Sequence, residues 1–236
     1  MKYRLQKAPL GKRLAAFVFD FTVWALLAVL CSTLVNAFIK FDAYYDQMNN
    51  VYAQYGEQYG VNVTMTEEEY NAMTQEEIDA MNVAYETMQE AVLADENVVN
   101  MYATFVQKLI ILVAVSLLTA TIVLEFAIPL ALGNGQTLGK KLVNIGVAHK
   151  NGDKVTSREM FMRTFFGKFS VEIIIPAFIV MMVWFGVAGL GGIAILLGIA
   201  GTQAMLVLAT PQRRAFHDMV SSTYVVQLNE RVTLGR

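Results

Sequence analysis

The longest stretch without a charged side chain runs for 40 residues, between Glu172 and Arg213. About 20 helical residues cross the hydrocarbon core of a bilayer, so this stretch is long enough for two membrane spans. A Gly-Leu-Gly-Gly sequence at 189–192 lies in its middle, where glycines permit a tight reversal between helices. The pattern therefore predicts transmembrane helices at 171–188 and 192–209.

Two further apolar tracts each contain a single charged residue. The first tract contains Asp20 and predicts a span at 14–39. The second contains Glu125 and predicts a span at 109–132. The whole chain is 56% hydrophobic and 16% charged, whereas soluble domains carry nearer a quarter charged residues. The sequence predicts an all-α integral membrane protein with four transmembrane helices.

The basic residues are confined to segments that four spans would place on one side of the membrane. Of the 18 Lys and Arg, 16 lie in 1–13, 133–170 and 210–236. The segment 41–107 holds 13 acidic residues and no basic one, and Lys40 and Lys108 flank it. Because cytoplasmic loops are rich in Lys and Arg, we expect both termini inside and 40–108 outside.

The acidic segment 40–108 has the periodicity of two amphipathic helices. Its apolar residues recur at spacings of three and four: Phe41, Tyr45, Met48, Tyr52, Tyr55 and Tyr59, then Ile78, Met81, Tyr85, Met88, Val92 and, one heptad later, Val99. This pattern predicts an antiparallel helical hairpin with its turn at 60–66, and Thr66 with Glu69 or Thr74 with Glu77 as capping boxes. The hairpin is interpreted as structural; the alternatives are a surface for a protein partner and one that accumulates cations.

The segment 133–170 is predicted to form a small β-rich patch with part of the tail. Residues 142–148 alternate in hydrophobicity, Asn151-Gly152 is a strong hairpin signal, and 154–156 and 223–226 are strand-like, which together favour a three-stranded sheet. After them, Ser157 is expected to cap a short helix in the headgroup layer.

Signatures of catalysis and of cofactor binding are missing from the sequence. It has no GxxxxGKS/T, HExxH, GxSxG or CxxC motif, so we predict that the protein is not an enzyme and has no cofactor or catalytic residue. A lipid-modifying enzyme is the least favoured alternative. The lone Cys31 excludes an intramolecular disulfide, and two histidines do not favour a metal centre. The glycine-rich run at 135–140 resembles a phosphate loop only loosely, and Thr137 is expected to cap a helix at 138–142.

Acidic residues within the predicted spans are the most informative candidates for function. An aspartate near the centre of a span costs about 2.5–3.5 kcal/mol to insert, so it normally faces the helix bundle and finds a partner. Asp20, Glu125 and Glu172 are predicted at similar depths on three spans. The candidate partners are Arg13, Arg163, Arg213 and Arg214, with His217 and Asp218 just below the fourth span. The acids then form either a static ion-pair network or a site that binds a proton or a cation.

An ordered set of motifs resembles the RDD family of bacterial membrane proteins. The set comprises LGKRLAAFVFD at 10–20, NGQTLGKK at 134–141, Arg163, and PQRRAFHD at 211–218 followed by Thr223, Val225 and Val226. The resemblance covers 10–30, 120–168 and 205–228. It implies that Arg13, Asp20 and Asp218 are the arginine and two aspartates for which the family is named. It also implies a multi-pass protein of the bacterial inner (plasma) membrane, in a family thought to include transport-related members, some suspected of sodium–proton exchange.

These observations favour ion-coupled transport or permeation of protons or cations. Asp20 and Glu125 are predicted to bind the ion, and Arg13 to tune their charge. The alternative is a non-transporting scaffold or accessory subunit that binds a protein partner through the acidic hairpin. The other expected partners are the lipid bilayer and a second copy of the chain. Nucleic acid is not expected, because the net charge is −2.

Overall fold

The computed structural model describes residues 6–228 of the chain. Four of the basic residues used above, Lys2, Arg4, Arg231 and Arg236, lie outside the described residues. The described chain divides into two units. One unit comprises the described residues up to Ser32 and from Ala114 onward, and the other comprises Thr33–Val113.

Helices make up most of the described chain. In chain order they are α1 (Leu10–Ile39), α2 (Phe41–Tyr59), α3 (Glu67–Asn71), α4 (Gln75–Ala94), α5 (Glu96–Leu132), α6 (Leu138–Leu142), α7 (Ser157–Trp184), α8 (Gly189–Ala209) and α9 (Phe216–Val220). Helices α1, α5, α7 and α8 are long and apolar enough to cross a membrane. The predicted fold class, a mostly helical protein with four candidate membrane spans, is confirmed.

The helix bounds differ from the predicted spans at several ends: α1 begins at Leu10 rather than at 14, and α5 begins at Glu96 rather than at 109. The predicted headgroup-layer helix and the third span form one continuous helix, α7, which ends at Trp184. The reversal before α8 lies at 185–188 rather than at 189–192, because Gly186 takes up the left-handed conformation there, with φ of 72°. Gly192 instead lies inside α8, where an added Cβ would come within 2.5 Å of Val183. That glycine therefore permits close packing between α7 and α8.

Two of the four long helices contain a π-helical segment just before a proline. In α5 the segment is Ile122–Ala127 and Pro129 follows it; in α7 the segment is Met162–Ile174 and Pro176 follows it. Proline has no N–H to donate to the carbonyl four residues earlier, so the regular α-helical bonding pattern cannot continue through it. Such widened turns occur often at functional sites.

The unit Thr33–Val113 is a helical hairpin stabilised by local bonds and a small core. Both capping boxes, Thr66 with Glu69 and Thr74 with Glu77, are present, which confirms that prediction. The core consists of Val61, Met88, Val92 and Val98, against which the aromatic residues of α2 pack. The Tyr55 hydroxyl donates to the Asp95 carboxylate at 2.8 Å, in the short break between α4 and α5.

The sheet has two strands among the described residues, so the three-stranded prediction is wrong. Strand β1 (Ile145–His149) pairs antiparallel with β2 (Thr223–Gln227). The expected third strand contributes one isolated bridge at Lys154. It stops there because Thr156, rather than Ser157, is the N-cap of α7 and forms a capping box with Glu159.

Candidate functional site

The Asp218 side chain, which is fully buried, is at the centre of the first group of charged residues. Its carboxylate accepts hydrogen bonds from the Arg163 guanidinium, from Arg13 Nη2 at 3.4 Å and from the backbone N–H of Ala215 at 3.1 Å. The Arg214 guanidinium donates to the Asp218 carbonyl at 2.8 Å. We call Arg13, Arg163, Arg214, His217, Asp218 and Glu172 the Asp218 group.

Charge–charge contacts keep Asp218 ionised. Burial alone would raise the pKa of this carboxyl, but Arg163, His217 and Arg13 outweigh burial and hold the pKa well below its usual range. Arg163 is itself only 4% exposed and also donates to Thr223 Oγ1 at 3.1 Å. The arginine therefore joins α7 to both α9 and the start of β2.

Close packing of α9 against α7 brings Glu172, the third acid of the predicted spans, into the Asp218 group. An added Cβ on Gly167 of α7 would lie 2.5 Å from His217, so only glycine lets α9 approach α7 this closely. At this approach, His217 Nδ1 lies 2.6 Å from Glu172 Oε1. His217 Nε2 lies 3.7 Å from Asp218 Oδ1, so the imidazole stands between two carboxylates.

The Asp20 side chain is held by the short helix α6. Its carboxylate accepts hydrogen bonds from the Thr137 hydroxyl and, at 2.7 Å, from the backbone N–H of Gly139. An added Cβ on Gly139 would lie 2.4 Å from the Ala16 carbonyl oxygen, so the lack of a side chain lets α6 lie against α1. Thr137 also caps α6, as predicted, by accepting from the Lys140 N–H.

Glu125 pairs with a lysine from the neighbouring helix. The Lys168 ammonium donates to Glu125 Oε1, and the glutamate side chain is buried. The Glu125 backbone carbonyl, to which Pro129 cannot donate, accepts from the Thr164 hydroxyl at 2.9 Å. Both interactions join the π-helical segment of α5 to that of α7.

Lys140 connects the two carboxylates electrostatically. Its ammonium donates to Thr137 Oγ1 at 3.3 Å and lies in the field of both Asp20 and Glu125. The pKa of Lys140 is lowered to about 8, because burial, Arg163 and Lys168 together outweigh the opposing effect of Glu125 and Asp20. We call Asp20, Glu125, Thr137, Lys140 and Lys168 the Asp20 group.

The structure arranges the predicted site residues in a different way from the sequence-based pairing. Arg13 and Arg163 contact Asp218, while Asp20 and Glu125 are held by Thr137 and Lys168. Within the described residues, no hydrogen bond or ion pair joins Asp20 directly to Glu125. The sequence motifs on which the family resemblance rests are nevertheless in contact, because 10–20 is hydrogen-bonded to both 134–141 and 211–218.

Sequence reasoning missed the two lysines of the Asp20 group. Both lie in the segment 133–170, which was predicted to lie outside the spans. One signal was available: Glu-x-x-x-Pro occurs twice, at 125–129 and 172–176, and each occurrence marks an intramembrane acid with a proline one turn later. That pattern indicates where the helices depart from α-helical geometry near a charged residue.

The comparison with protein-family models agrees with the motifs. The model of the RDD family matches residues 7–222, which is most of the chain. Comparison with curated proteins and with solved structures finds no significant match.

Proposed function

We propose that this chain, which belongs to the RDD family of membrane proteins, is an ion-coupled transporter that exchanges a proton for a cation at the Asp20 group. In the proposed orientation, both termini and the Asp20 group face the cytoplasm, and the membrane is the bacterial inner membrane. The observation that carries the proposal is that Lys140, which donates to Thr137 beside Asp20, interacts electrostatically with two carboxylates on different helices.

The charge balance of the Asp20 group depends on one proton. Asp20 and Glu125 carry two negative charges, and Lys140 and Lys168 carry two positive charges, so the group is neutral when both lysines are protonated. Loss of the Lys140 proton leaves a net charge of −1 in a low-dielectric environment. An uncompensated buried charge is costly, which favours uptake of a monovalent cation in place of that proton.

The pKa of Lys140 makes this exchange accessible in a physiological pH range. A lysine with an ordinary pKa, about 10.4, would stay charged and exclude the cation permanently. A pKa of about 8 lets the ammonium release its proton at moderately alkaline pH and recover it at neutral pH. The oxygens of Asp20, Glu125 and Thr137 are hard ligands that suit alkali cations.

The π-helical segments support a site that changes its bonding. Glu125 lies in the π-helical segment of α5, and Lys168 lies in that of α7. A shift of hydrogen bonds within these widened turns would change the distance between Glu125 and Lys168. We expect this movement to expose the cation alternately to the two sides of the membrane.

The test is cation-driven proton movement by the purified full-length chain in liposomes that contain a pH-sensitive dye. A sodium or potassium gradient is expected to change the internal pH for the wild type. Asp20→Asn removes one of the two negative charges, so its rate should fall at least about tenfold toward that of empty vesicles. The matched control is Asp153→Asn, an exposed aspartate, which should retain the wild-type rate. A wild-type rate no greater than that of empty vesicles would overturn the proposal.

A non-transporting accessory subunit is the second candidate. It is favoured by the observation that Asp20, Glu125 and Glu172 each contact a donor or a histidine, as expected of a static network. In that case the acidic hairpin would be the surface for a protein partner. The same liposome experiment distinguishes the candidates, because an accessory subunit moves no ions in its wild-type form.

A further inference from the structure

A cleft of about 610 Å³ lies in the unit Thr33–Val113, between α2, the 60–66 segment and α4. This volume falls within the range of small-molecule sites, roughly 300–1,000 Å³. The cleft belongs to the acidic hairpin and contains none of the residues of the Asp20 group. Its role is therefore separate from the proposed exchange site.

The lining of the cleft is aromatic and sulfur-rich. Three tyrosines, Tyr52, Tyr70 and Tyr85, and three methionines, Met65, Met81 and Met88, contribute to it. The one charged residue among those that line the cleft is acidic, Glu67. Tyrosine rings attract cations through the negative face of the ring, and methionine packs adaptably around apolar groups.

Local bonds hold the walls of the cleft in place. The Val61 N–H donates to the Gly56 carbonyl at 2.8 Å, and an added Cβ on Gly56 would lie 2.7 Å from the Val61 carbonyl oxygen. Asn62 Oδ1 accepts from the Thr64 N–H at 3.1 Å, and Thr66 begins α3 with a capping box. The buried Met88 lies below, in the hairpin core. The cleft is thus preformed, which lowers the entropy cost of binding.

The negative charge around the cleft favours a positively charged ligand. The segment 41–107 carries 13 acidic residues and no basic one, so its field raises the local concentration of cations. An inorganic cation would leave its hydration shell for a lining with one carboxylate, that of Glu67, besides the neutral oxygens of tyrosine, asparagine and threonine side chains. An organic cation matches both the field and the lining, because its charge is spread over apolar groups.

We infer that this cleft binds an organic cation of the quaternary ammonium class. The cationic head contacts the rings of Tyr70 and Tyr85, and the apolar part packs against the methionines. Both rings are accessible, since Tyr70 is 42% exposed and Tyr85 is 45% exposed. The inferred ligand therefore reaches the site without an opening of the hairpin.

The test uses benzyltrimethylammonium and the full-length chain in nanodiscs of zwitterionic lipid, with binding measured by isothermal titration calorimetry. Saturable binding is expected, and benzyl alcohol, a neutral aromatic, should bind at least about tenfold more weakly because it lacks the charge. The double substitution Tyr70→Leu and Tyr85→Leu should weaken binding of the cation about tenfold. Replacing both tyrosines by phenylalanine keeps the rings and should change the affinity less than about twofold.

The control substitution is Tyr45→Leu, which removes a tyrosine of similar exposure, 46%, that does not line the cleft. Its affinity for benzyltrimethylammonium should equal that of the wild type. The inference is overturned by any of three results: no saturable binding, equal binding of benzyl alcohol, or an equal loss of affinity in Tyr45→Leu. The exposed positions of the rings keep these variants folded, and circular dichroism of each variant checks this.

Discussion

At the scale of single residues, Asp218 is a charged side chain without contact with solvent. Its side chain is fully buried, and removal from water by itself disfavours the charged form. Arg163, Arg13 and the Ala215 N–H together offset that cost, because each is placed to donate to one of its two oxygens. Buried ion pairs of this kind add little net stability when intact, but their disruption leaves an unpaired charge.

Asp218→Asn is expected to destabilise the protein by about 3–5 kcal/mol, because it leaves the Arg163 guanidinium buried without a carboxylate. The measurement is the free energy of unfolding by SDS titration in mixed micelles. Asp153→Asn, at an exposed position, serves as the control and should change this free energy by less than about 0.5 kcal/mol. A loss below about 1 kcal/mol for Asp218→Asn would contradict the assigned role.

At the scale of elements, the π-helical segments of α5 and α7 are linked by Thr164. Its hydroxyl donates at 2.9 Å to the Glu125 carbonyl, which Pro129 leaves without the usual α-helical donor. The hydroxyl thus supplies, from α7, the hydrogen bond that Pro129 cannot donate. The proline and the threonine should therefore be energetically coupled.

Thr164→Val should cost about 1–2 kcal/mol of stability in the wild-type background, because it leaves a buried carbonyl without this donor. In a Pro129→Ala background the new N–H of residue 129 can donate to the same carbonyl, so the cost should fall below about 0.5 kcal/mol. A double-mutant cycle of unfolding free energies measures this coupling. Equal costs in the two backgrounds would show that the two residues act independently.

The accuracy of the sequence-based predictions depended on the distance over which each signal acts. The capping boxes at Thr66 and Thr74 were predicted correctly because the donor and the acceptor are three residues apart. The third strand was wrong because the capping box of Thr156 ended the extended segment early. The same local signal was not recognised there, since the strand-like pattern was given more weight.

The pairing of charges in the site could not be predicted by the same reasoning. Lys168 contacts Glu125 and Arg163 contacts Asp218 only because of how α7 packs against its neighbours. Hydrophobicity located the spans and the acids, but it contains no information on the rotation of one helix against another. The glycines at 139 and 167, which permit the close approaches, are recognisable only once the neighbouring backbone is known.

At the scale of the whole molecule, the chain has two units with different electrostatic character. In the unit that contains α7 and α8, the buried acids Glu125 and Asp218 are paired with basic residues, and Asp20 accepts from the backbone N–H of Gly139. The acids of the hairpin unit have no basic residue within 41–107 to balance them. This contrast is expected if the first unit binds ions inside the membrane and the second presents a negative surface to water.

The proton on Lys140 is the central element of the proposed exchange, and the pH dependence of transport tests it most directly. Above a pKa of about 8 the amine is neutral and the Asp20 group can accept a cation; below it the ammonium occupies that place. Cation-driven proton movement in liposomes should therefore rise with pH, with a midpoint near 8 for the wild type. Lys140→Arg, which stays charged throughout, should abolish it, and Lys140→Gln should leave cation movement uncoupled from protons and independent of pH. An unchanged midpoint in Lys140→Gln would contradict the account.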